Sequence, residues 1–164
     1  MYLNKYKIYA LIVSFLALLL VTACAELDSH SSISRFLKSE NVLRASMRWG
    51  EWVNAFALLK SNPDNPSSKI ESPSEEYLAY LSTLKIAHVK VLTSGITEED
   101  KAGESLFLIE YRFDNSAKIH KIRHKVDWWY HKESNTWFTD TPLPKEFDIP
   151  EPRSRTIKLS PKAH

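Results

Sequence analysis

Lys118-Ile119-His120-Lys121-Ile122-Arg123-His124-Lys125-Val126-Asp127-Trp128-Trp129-Tyr130-His131 is the stretch whose reading decides the fold. Ile122, Val126, Trp128 and Tyr130 alternate with Lys121, Arg123, Lys125 and Asp127. That period of two puts apolar side chains on one face of a strand and charged ones on the other. Ser134-Asn135 then offers a turn, and residues 136–141, with Trp137 and Phe138, read as the returning strand. At about 3.3 Å per residue the run 118–131 would reach roughly 45 Å, so it is expected to bend or bulge to stay on a small domain.

Working upstream, 104–113 reads as a further strand with Phe107, Ile109, Tyr111 and Phe113 on one face. Before it, 86–92 reads as a strand leading into a loop at Thr93-Ser94-Gly95. Four strands in a meander result. Helical spacing precedes them. Ile33, Phe36, Leu37, Val42, Leu43 and Met47 recur mostly at three, four or seven, with Ser31 or Ser32 as N-cap and Gly50 as the break. A second helix over 51–60 carries Trp52, Val53, Phe56, Ala57 and Leu59 and stops before Ser61-Asn62-Pro63-Asp64-Asn65-Pro66. A third over 74–85 has Ser74 to cap it, Glu75 and Glu76 in its first turn, and Tyr77, Leu78, Leu81 and Leu84 as its apolar stripe. The fold class is therefore α+β: N-terminal helices packed on a curved antiparallel sheet.

The first 23 residues have a different character. Lys5 and Lys7 precede an apolar run from Ile8 to Ala23 that is shorter than the ~20 residues of a membrane-spanning helix and ends in small side chains, the pattern of a secretory signal peptide. Cys24, the only cysteine, follows at once, so no disulfide is available to the chain. Residues 24–32 are mostly small and polar, as in a tether, the domain occupies 33–147, and the Pro-rich basic stretch 148–164 is expected to be extended or disordered. Removing 1–23 takes away two lysines and no acid, which balances the 22 basic against the 20 acidic residues. A neutral exported domain lacks the field that nucleic acids require, and nucleic acid is not expected as a partner.

Val21-Thr22-Ala23-Cys24 resembles the lipobox of bacterial lipoproteins. The resemblance implies cleavage between Ala23 and Cys24, an S-diacylglycerol group and an N-palmitoyl chain on Cys24, and attachment to the cell envelope. Ala25 in place of Asp implies outer-membrane sorting. Several acyl chains hold a protein at a bilayer without a spanning segment. The order of elements, together with Met47-Arg48-Trp49-Gly50-Glu51-Trp52 and Asp127-Trp128-Trp129-Tyr130…Trp137-Phe138, resembles the NTF2-like (cystatin-like) cone and small Gram-negative lipoproteins to which no activity is attached.

That fold serves enzymes and binding modules alike. His120 and His124 share a strand face, but four residues of strand separate them by about 13 Å, too far for one metal. Tyr77, His88, His124 and Asp127 form the one candidate acid/base set, weakened because Asp127 and His124 alternate onto opposite faces. With three glycines in the chain and no phosphate loop or nucleophile motif, no cofactor is expected and no catalytic residue is assigned. The favoured reading is a lipid-anchored, non-catalytic accessory module that contacts an envelope protein. Trp129, Lys121, Arg123 and Lys125 are its candidate contact residues, and a small-ligand binder or enzyme built on the cone cavity is the alternative.

Overall fold

The structure is a computed structural model, described over residues 32–97 and 101–150. Cys24, the cleavage point, the tether as far as residue 31 and the tail from 151 lie outside the described residues. Among those described, α1 (32–49), α2 (Trp52–Leu58) and α3 (Glu75–Ser82) pack on one antiparallel sheet of β1 (Leu84–Ile96), β2 (Ala102–Phe113), β3 (His120–His131) and β4 (Thr136–Thr139), in the order β1-β2-β3-β4. The α+β meander expected from the sequence is the observed architecture.

α1 docks through one buried row: Phe36, Glu40, Leu43 and Met47, three or four apart, flanked by Ser32, Ser39 and Ser46. Phe36 meets Trp128 and Trp137 edge-on, with ring centroids at 5.9 and 5.4 Å. It lies so close to the sheet that a Cβ on Gly103 would stand 2.9 Å from its ring. Glycine at 103 is thus a requirement of the helix–sheet approach. The sequence reading placed Ile33, Leu37 and Val42 in this row, but all three are exposed. Small serines and one glutamate take the inward positions instead. Glu40 is 5 % exposed and accepts a hydrogen bond of 2.5 Å from the Ser105 hydroxyl, whose oxygen accepts the indole N–H of Trp128 at 3.0 Å. This chain of donors gives a buried carboxylate the partner that burial demands.

Gly50, at φ +72°, ends α1 and lets α2 leave in a new direction. α2 is shorter than expected and buries Trp52, Ala55 and Leu58, while Val53 points outward. α3 begins at its expected cap: the Ser74 hydroxyl accepts from the Tyr77 amide at 3.1 Å. It ends early because Leu84 already belongs to β1, which then runs on through Thr93-Ser94-Gly95, read as a loop from the sequence.

The bend falls in a different strand from the one expected. β3 pairs with β2 in unbroken register, whereas β1 has two irregularities, at Ala87 and at Leu92. Each extra residue restores the face, so Ile86, Val89 and Val91 stand opposite Tyr111, Ile109 and Phe107, all turned toward the helices. The inner face is filled by Phe107, Ile109, Tyr111, Val126, Trp128 and Trp137. It is closed at one end by a 3₁₀ turn, Lys145–Phe147, that buries Phe147 against Trp52 and Tyr111 at 6.1 and 5.1 Å. That plug follows directly on Pro142 and Pro144, at the end of the span read as the domain.

Both sheet edges are guarded. Leu59 bridges Thr139 in parallel and the Lys60 amide donates to the Thr139 carbonyl at 2.8 Å, which closes β4. On the β1 edge, Arg48 Nη1 donates to the Ile86 carbonyl at 2.6 Å. That clamp and the two bulges make β1 a poor template for another strand.

Candidate functional site

The helices fill the inner face, so the surface left for recognition on the sheet is its outer face. β-sheet alternation assigns its members. His88, Glu110 and Lys121 form one row across the strands; Lys90, Leu108 and Arg123 the next; then Thr93, Leu106 and Lys125; then Gly95, Glu104 and Asp127. Three of the four candidate contact residues, Lys121, Arg123 and Lys125, therefore lie where the sequence placed them, exposed on this face.

Their electrostatics depend on the strand opposite. Lys121 Nζ sits 2.6 Å from Glu110 Oε1, and Lys125 Nζ sits 2.9 Å from Glu104 and 3.2 Å from Asp127. The hydrogen bond from Lys121 holds the Glu110 carboxyl below the usual carboxylate range. Those from Lys125 to Glu104 and Asp127 push its ammonium above the usual lysine value. The basic stripe read along β3 is a row of neutralised pairs, with Arg123 beside Leu108 as its cation without an ion pair among the described residues.

Trp129 also faces outward, but it is half-buried. Its indole N–H donates to the Lys60 carbonyl at 3.2 Å, and its ring lies against Phe138 at 5.5 Å and His131 at 5.8 Å. Lys60 Nζ stands 4.1 Å over Phe138. The chain after α2 thus curls over this corner and fixes the tryptophan as one wall of a cleft of about 630 Å³. Asn62, Asn65, Glu104, Asp127 and Asp140 supply its polar walls, and Asn65 Nδ2 donates to Asp140 Oδ2 at 3.2 Å. Thr139 and Thr141 hold Asp127 through its main chain: Thr139 Oγ1 donates to its carbonyl at 2.7 Å and its amide donates to Thr141 Oγ1 at 2.8 Å. A cleft of this size admits a side chain or a small polar molecule.

No family model, curated protein or solved structure matches this chain. Function therefore has to be argued from its own residues.

The acid/base set is not assembled. His88 and Asp127 are on the outer face, three rows apart. His124 faces inward opposite Phe107, where burial lowers its pKa from the ordinary 6.5 despite an opposing effect of Glu146. Tyr77 is on α3, where burial and then Asp148 and Tyr80 push its phenol up to about 12. His120 stacks on Tyr111 at 5.1 Å rather than meeting His124. Among the described residues no group of three His, Cys, Asp or Glu side chains could hold a metal ion, and no helix is long and apolar enough to cross a membrane. Sequence reasoning missed Asn62, Asn65 and Asp140, which reach the cleft only through tertiary folding, and Glu104 and Glu110. The two acids had a usable signal: both alternate with the apolar set of β2, and so belong on the face of the lysines.

Proposed function

We propose that this protein is a lipid-anchored envelope lipoprotein of NTF2-like architecture, tethered through Cys24 at the outer membrane and acting as a non-catalytic module that presents its outer sheet face to an envelope protein. The observation that carries the reading is Val21-Thr22-Ala23-Cys24 at the end of an apolar run preceded by Lys5 and Lys7, with the sole cysteine at the acceptor position. The filled interior supports the accessory role, because the aromatic side chains that an enzyme of this kind would clear from its cone are here the core. The outer face supports protein recognition: Leu106 and Leu108 lie among charges that are paired within the sheet, and the cleft beside Trp129 can receive a partner's side chain.

The test has two parts. Cells fed an alkyne-bearing palmitate should label the wild-type chain and leave Cys24→Ser unlabelled and released from the membrane fraction. A photoreactive residue at position 123 should then capture one envelope protein, and capture should fall in the Cys24→Ser form. An unlabelled wild-type chain would sink the anchor, and diffuse capture from a folded domain would sink the accessory role.

A further inference from the structure

The outer side of α1 is the part of the molecule that the proposed function leaves unused. At about 100° per residue, Ser34, Lys38, Asn41, Ala45 and Trp49 run down its middle, with Ile33, Leu37, Arg44 and Arg48 on one flank and Val42 on the other. Trp49 is 72 % exposed, and Val53, one turn further into α2, is 70 % exposed. Single exposed apolar residues are ordinary. Ile33, Leu37, Val42 and Trp49 differ in sharing α1 with cations and no exposed acid, the next acid in sequence, the exposed Glu51, lying beyond its end. Residues 32–49 contain Arg35, Lys38, Arg44 and Arg48 but only one carboxylate, Glu40, which is buried against Ser105.

We infer that the outer face of α1 lies in the plane of an anionic lipid surface, with Lys38 and Arg44 on headgroup phosphates, Trp49 in the middle of the face at the level where headgroups meet acyl chains, and Leu37 and Val42 flanking the contact on either side. The combination of basic residues, apolar residues and a tryptophan on one unpartnered helix face is that of an interfacial helix. The charge complementarity is one-sided, since a protein partner of ordinary mixed charge would leave these cations without counterions, while each Lys or Arg near an anionic bilayer gains about 1 kcal/mol. The face is also about 27 Å long, which fits a plane better than a pocket. The inference rests on the proposed anchor: a lipidated Cys24 keeps residue 32 within about 28 Å of the bilayer even with the intervening residues fully extended. It also gives the anchor an orientation. α1 packs on the inner side of the sheet, so laying it on the membrane turns the outer sheet face and its cleft away from the lipid, toward a soluble or opposing partner.

The experiment uses the full chain, purified from membranes and reconstituted into vesicles of phosphatidylcholine alone or mixed with phosphatidylglycerol. An environment-sensitive fluorophore is placed by Ala45→Cys, at an exposed position on the α1 face, or by Arg123→Cys on the sheet face. Lipids brominated in their acyl chains serve as quenchers. The position-45 probe should be quenched in anionic vesicles and several-fold less in neutral ones or in high salt, whereas the position-123 probe should stay in water throughout. Lys38→Gln with Arg44→Gln, one exposed and one half-buried position, should reduce the position-45 quenching, and Lys38→Gln alone should reduce it in part without shifting the unfolding midpoint. Mass spectrometry of the Cys24 peptide separates the two claims. A lipidated, vesicle-bound chain with position 45 in water, or with position 123 quenched instead, overturns the helix-face contact and spares the anchor. An unmodified Cys24 overturns the anchor; flotation of that chain with anionic but not neutral vesicles would still carry the contact, and no flotation would end it too.

Discussion

Two basic surfaces of this molecule look alike in sequence and differ in structure. On the outer sheet face, Lys121 and Lys125 stand against Glu110, Glu104 and Asp127 at 2.6 to 3.2 Å. On α1, Lys38 and Arg44 form no ion pair among the described residues, because the helix turns its one acid, Glu40, into the core. The difference teaches that a run of lysines has no meaning until the neighbouring element is known. The same side chains are internal glue where acids face them and a polyanion-binding surface where acids are withdrawn.

The sharpest way to break this comparison is charge reversal on both surfaces. Lys38→Glu with Arg44→Glu changes the charge facing the bilayer by four, which at about 1 kcal/mol per charge shifts the docking equilibrium of the helix face several-hundred-fold. Quenching of a probe at position 45 should vanish. Lys121→Glu with Lys125→Glu should leave that quenching in place, and equal loss from both pairs would erase the distinction between the surfaces.

Next in size is the buried acid itself. Glu40→Ala removes the acceptor of the Ser105 hydroxyl and opens a void under α1, and is expected to cost about 3 kcal/mol in urea unfolding. Glu40→Gln keeps the volume and an acceptor oxygen, and should recover at least half of that loss. A Glu40→Ala chain as stable as wild type would mean that the carboxylate is turned inward for no structural reason.

The two sheet faces differ in pH response as well. Burial depresses the pKa of inward His124, so the folded state binds its proton less well than the unfolded chain, whose value is near 6.5. Its contribution is present above 6.5 and is lost as pH falls from there toward the lowered folded value. The urea midpoint should therefore drop between about pH 7.5 and pH 5, and His124→Leu should flatten that limb. An unchanged slope in His124→Leu would show that the imidazole reaches water.

How much of this was legible beforehand follows from what each signal depends on. The four strands and their inward residues, Phe107, Ile109, Tyr111, Val126 and Trp128, were readable because alternation is a property of one strand alone. Ser74 was readable as a cap for the same local reason. The bulges at Ala87 and Leu92 were not, since they appear only when β1 is counted against β2. The inward row of α1 was legible in part: Phe36, Leu43 and Met47 were found, while Ser39, Glu40 and Ser46 occupy inward sites that a search for apolar residues gives to Ile33, Leu37 and Val42. Phe147 was hidden among prolines because its burial depends on a hole between Trp52 and Tyr111. At the candidate site Lys121, Arg123 and Lys125 were found, while their partners and the cleft wall at Asn62, Asn65 and Asp140 were not. Positions on a strand are local, and counter-ions and clefts are made by pairs of elements.

The smallest predicted effect tests the neutralised surface directly. The hydrogen bond from Lys121 lowers the Glu110 pKa below its ordinary 4.5, so the pair stabilises the fold above that value and the benefit disappears as pH falls through the lowered folded value. Lys121 is exposed and Glu110 only half-buried, so the effect is slight and should shrink further in high salt. Glu110→Gln should leave the urea midpoint nearly unchanged at neutral pH and remove a small part of its acid decline. The more telling readout is binding: Glu110→Gln together with Glu104→Gln and Asp127→Asn removes every carboxylate paired with Lys121 and Lys125 and should give the sheet face a salt-sensitive affinity for anionic vesicles that the wild-type face lacks. If the freed lysines bring no such affinity, pairing with carboxylates is not what separates the two surfaces, and the apolar residues of α1 must supply the difference.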